Sequence, residues 1–159
     1  MDMKTANFVL TSNKDPRIME LVGKTDRKVL AMWAAECAER VLPWFEQKYP
    51  EDHRPRNAII TLREWIATGK FRMAVIRKAS LDSHAAARDV GEDNAARSAA
   101  RAAGQAVATA HVPTHSVGAA IYALQAVFRN AGPAEAGAPV EAEREWQYRR
   151  LLKLISIPG

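Results

Sequence analysis

The stretch DNAARSAARAAGQAVATAHVPTHSVGAAIYALQAVFRN, Asp93 to Asn130, decides the fold. Its first half, Asp93 to His111, reads as a helix whose stripes are almost all small. Ala95, Ala99, Ala102, Ala106 and Ala110 follow one stripe, and Ala96, Ala100, Ala103, Gly104 and Val107 follow the next. A helix with so little bulk lets its neighbours approach its backbone, so it is expected to run through the middle of a helical bundle. Arg97 and Arg101 mark its wetter side. Pro113 interrupts the pattern, because proline removes a backbone donor and clashes with the preceding turn. A second helix follows, Thr114 to Asn130, on which Val117, Ile121, Leu124, Val127 and Phe128 form an apolar stripe of period 3.6.

Helix punctuation continues on both sides. Asp15-Pro16 reads as an N-cap with proline at the first helical position, and Gly23 closes that short helix. A second helix runs from Asp26 to about Lys48, with a kink or break expected at Pro43. A third spans Pro55 to Gly69, and a fourth about Phe71 to Val90. After Thr114–Asn130, residues 131–139 (AGPAEAGAP) read as a flexible linker by composition. A last helix, 140–155, is expected to bury Tyr148, Leu151, Leu152 and Ile155. No run alternates apolar and polar residues with β-branched or aromatic enrichment, so strands are not expected. The expectation is all-α: an irregular bundle of six to seven helices in a single helical domain over 1–159, with the N-terminal segment 1–15 extended.

Composition sets limits on the function. At 159 residues the chain suits one domain. No apolar run approaches the ~20 residues of a membrane span, and the N-terminus lacks the apolar stretch of a secretory signal. A single cysteine, Cys37, forms no internal disulfide and suits a reducing cytoplasm. The net charge of +5 invites a nucleic-acid reading, but cations and acids are mixed along the chain and no block of like charge occurs. A solvated mixed surface is the better account.

Three features could carry chemistry or binding. His84, His111 and His115 are candidates for metal ligation or proton transfer. His111 and His115 flank the Pro113 junction, so their backbones are near each other. His84 is harder to include. Hairpin packing puts it roughly 13 Å back from the connecting turn, while the following helix rises roughly 27 Å to His111. The second feature is the face formed by His115, Gly118, Tyr122, Gln125 and Arg129, which reads either as a partly covered helix or as a groove shared with His84 and His111. The third is Trp146 beside Arg149 and Arg150, a combination favoured at interfaces and capable of cation–π stacking. The exposed aromatic and arginine side chains of these last two features lead us to expect a two-fold homodimer. No phosphate loop, dinucleotide fingerprint, nucleophile elbow or zinc-protease helix motif occurs, and no cofactor is implied.

Whole phrases add a resemblance. LAMWAAECAERVLPWFEQKYPEDHRPRNAI, FRMAVIRKASLDSHAAARD, ARAAGQAVATAHVPTHSVGAAIYA and EREWQYRRL resemble the Imm-five-like family of immunity proteins over about residues 16–152, most specifically in the phrase ending ATAHVPTH. The resemblance implies an all-α fold, no catalysis, and action by binding a toxin protein of a bacterial polymorphic toxin system. It transfers no catalytic residues. Inhibitors of nucleases are commonly acidic, and this chain is basic, so nucleic-acid mimicry is not the expected mode. The alternative from the residues alone is a histidine-lined pocket for a small ligand or metal.

Overall fold

The computed structural model describes residues 8–157. Eight helical segments follow in order: α1 Pro16–Val22, α2 Arg27–Val41, α3 Pro43–Glu46, α4 Arg54–Thr68, α5 Met73–Asp89, α6 Ala95–Ala108, α7 His115–Ala131 and α8 Gly137–Ser156. There is no strand among the described residues. The single turn α3 continues α2 across Pro43, where the break was expected, so seven helices build an all-α bundle.

Local chemistry sets the ends. Asp15, Asp26 and Asn94 cap α1, α2 and α6 by accepting from the amides of Arg17, Lys28 and Arg97. Gly69 ends α4 at φ 68°, a left-handed conformation that costs glycine nothing.

α6 occupies the centre and packs against α2, α3, α4, α5 and α7. Nine of its residues are buried, and apart from Val107 all are Ala, Ser or Gly. The small stripe brings α5 onto its backbone: Ser83 Oγ donates to Ala100 O at 2.8 Å, and Ser80 Oγ to Gly104 O at 2.9 Å. Bulkier side chains would hold the two helices too far apart for such bonds. Larger apolar groups fill the space between the other helices. Trp33, Phe45, Leu30, Leu62 and Leu124 are nearly or wholly buried.

Three expectations need correction. Within 1–15, residues 1–7 lie outside the described residues, and Lys14 and Asp15 are extended as expected, but the stretch before them is not. Thr11–Asn13 form a 3-10 turn, because Ser12 Oγ and Asn13 Nδ2 both donate to Val9 O. The connection read as a linker over 131–139 shrinks to 132–136. Gly132, at φ 86°, stops α7, and Pro139 lies in the first turn of α8, where no amide hydrogen is needed.

α8 turns a different face to the bundle from the one expected. Val140, Glu143, Gln147, Leu151 and Leu154 are buried, whereas Leu152 and Ile155 are exposed and Tyr148 is half-buried. Two polar residues turn the helix, because the bundle supplies their partners. Gln147 Nε2 donates to Ala120 O at 2.9 Å, and its own backbone oxygen accepts from Trp33 Nε1 at 2.9 Å. Glu143 takes a two-pronged bond from Arg40, at 2.7 and 2.9 Å. Hydrogen-bonded partners remove most of the penalty for burying an amide or a carboxylate.

Candidate functional site

The three histidines sit along the flank where α5, the C-terminal half of α6 and the start of α7 meet. Gly104 leaves a notch in α6 that the His84 ring fills. A Cβ built at Gly104 would lie 2.7 Å from His84 Nε2. Arg101 donates to His84 Nδ1 at 2.9 Å, which places the ring proton on Nε2. Burial first, then the charges of Arg101, Arg88 and His115, push the His84 pKa down to about 4. The ring is therefore neutral at physiological pH.

One residue further along α6, Gln105 repeats the device. Its side chain lies over Gly118 of α7, where a Cβ would be 2.8 Å from Oε1, and that oxygen accepts from His115 Nδ1 at 2.7 Å. Burial, and after it the charge of His111, lowers the His115 pKa as well. His111 itself is exposed and stacks on Phe71, with centroids 6.0 Å apart and ring planes at 24°. The charge of His115 bears on His84, and that of His111 bears on His115. Among the described residues, no group of three or more His, Cys, Asp or Glu is placed to hold a metal ion.

The rest of the α7 face does not join this cluster. Gln125 is buried and accepts from Ser98 Oγ at 2.9 Å, and Arg129 donates to the same hydroxyl at 3.0 Å. Arg129 also lies 3.7 Å from Asp93, and its pKa is lowered by burial. Ser98 is seven residues before Gln105, roughly 10 Å along α6. Tyr122 is half-buried. The face is therefore the seam between α6 and α7 rather than a groove shared with His84 and His111.

Trp146 is half-buried under the Arg40 guanidinium, 3.9 Å from its ring centroid. Its cation–π partner is thus on α2, not among its own neighbours. Arg150 is committed to Glu36, and Arg149 reaches Glu145 one turn back. Of the side chains that prompted the dimer expectation, Arg150 and Arg129 are engaged within the chain, whereas Arg149 stays 77% exposed.

Sequence reading missed the roles of Gln105, Glu143 and Gln147. A legible signal existed for one of them: glycine inside an otherwise regular helix, as at Gly118, marks a place where another side chain approaches the backbone.

The fold and these seams define an all-α bundle whose histidines and buried polar groups lock helix to helix. The chain belongs to the family described as Imm-5 like putative immunity protein, whose model matches residues 20–154. No curated protein and no solved structure matches the chain. No helix among the described residues is long and apolar enough to cross a membrane.

Proposed function

We propose that this protein is an immunity protein that binds one toxin of a polymorphic toxin system and blocks it without chemistry of its own. The observation that carries the reading is the family match over residues 20–154. The state of the reactive side chains supports it. His84 is held by Arg101 and His115 by Gln105. Cys37 is wholly buried, and burial pushes its thiol pKa well up, away from the thiolate a nucleophile needs. Two of the three histidine rings already hold helix to helix, which disfavours a histidine-lined pocket for a ligand. Action on a toxin retained in the producing cell places the protein in the cytoplasm on this reading.

The test is co-expression with the toxin encoded beside its gene. Cells making the toxin alone should stop growing, and cells making both should grow. Calorimetry of the purified pair should give a saturable complex of fixed stoichiometry. Toxicity undiminished by an excess of folded protein would refute the proposal.

A further inference from the structure

We infer that the outer edge of α5 is the docking surface, and that it takes an acidic protein surface carrying at least one apolar side chain. The inference rests on the immunity reading and names the partner's chemistry. Met73, Arg77, Leu81, His84 and Arg88 are spaced 4, 4, 3 and 4 apart, so they form one stripe along the helix. Leu81 is 54% exposed and Met73 43% exposed, while Phe71, just ahead of the helix, is 44% exposed. Between Met73, Leu81, Ala108 and His111 lies a groove of about 280 Å³, large enough to seat a side chain. Adjoining exposed apolar groups of this size mark interaction sites more often than bare surface.

Charge identifies the occupant. The chain has fifteen arginines, all among the described residues. Ten form ion pairs with carboxylates. The five without a carboxylate partner among the described residues are Arg27, Arg72, Arg77, Arg88 and Arg101, and all but Arg27 lie on α5, just before it, or on the facing turn of α6. The two acids of α5 are turned away from this edge, Asp82 toward Lys78 and Asp89 toward Arg54. Arg101 is held in place by its bond to His84, which leaves its remaining N–H groups to donate. Guanidiniums without carboxylate partners among the described residues, interleaved with apolar side chains, complement an acidic protein face. A phosphate backbone would gain nothing from Met73 and Leu81.

The probe is the purified toxin domain encoded beside the gene, titrated by calorimetry into the full chain and its variants. Arg77→Glu/Arg88→Glu should weaken binding at least 100-fold, and Leu81→Glu at least 10-fold. Lys28→Glu/Lys153→Glu, with the same charge change on other helices, should stay within threefold. The neutral pair Arg77→Gln/Arg88→Gln should fall between. Melting temperatures within about 2 °C of the parent confirm that these exposed changes leave the fold intact. Equal losses in the α5 and control pairs, or binding unchanged in Arg77→Glu/Arg88→Glu, would overturn the docking surface while leaving the immunity reading standing. Absence of any wild-type binding would overturn the immunity reading itself. A labelled 30-base-pair duplex that binds at 150 mM NaCl and is lost in Arg77→Glu/Arg88→Glu would replace the acidic protein with nucleic acid.

Discussion

The imidazole of His84 occupies the volume that a side chain at Gly104 would need, with Nε2 only 2.7 Å from where a Cβ would stand. This pairing of a ring with a missing methyl sets how closely α5 lies on α6.

Gly104→Ala should therefore show opposite signs in two backgrounds. In the parent the added methyl forces the ring aside, and overpacking of about 1–3 kcal/mol exceeds the helix-propensity gain of about 1 kcal/mol. With His84→Ala the notch is empty, and Gly104→Ala should stabilise by up to about 1 kcal/mol. Denaturant unfolding of the four proteins gives the coupling. Additive effects would mean the ring and the glycine do not share the space.

The pH dependence follows from the same ring. A folded pKa of about 4 lies below the ordinary histidine value of 6.5, so between these values the unfolded chain binds more protons. The contribution is fully present above pH 6.5 and is lost as pH falls toward 4. The melting temperature should decline across that window, and His84→Gln, which still offers Arg101 an acceptor, should flatten the decline. An equal slope in His84→Gln would assign it to other groups.

Trp33 joins α2 to α8 through its indole N–H and the oxygen of Gln147. Trp33→Phe loses that bond and leaves a void in a wholly buried site, at a cost of roughly 2–3 kcal/mol. Chemical unfolding monitored by circular dichroism reads the change. A loss under about 0.5 kcal/mol, a quarter or less of that expectation, would show that this contact does not hold the helices together.

Cys37 is buried with its thiol pKa raised by desolvation. A disulfide reagent at pH 8 should label the folded protein at least 100 times more slowly than the protein in 6 M guanidinium. Rapid labelling under native conditions would mean that α2 opens locally.

Much of this was legible in the sequence, because helix periods, caps and stops are local. Asp15-Pro16, Asp26, Pro43 and Gly69 punctuate the chain wherever the rest of the molecule lies, and the alanine and glycine stripes of α6 specify close approach whatever helix makes it. The direction in which an amphipathic helix turns its polar residues is not local. Leu152 and Ile155 were expected in the core and are exposed, while the polar Glu143 and Gln147 are buried. Arg40 and the backbone of α7 lie 103 and 27 residues away in sequence, and only the packed bundle brings them to α8. The histidines follow the same rule. Their neighbourhood around Pro113 could be read, but their partners Arg101 and Gln105 could not. Which polar groups are buried is decided by whether a partner waits for them, and the tertiary structure alone supplies the partner.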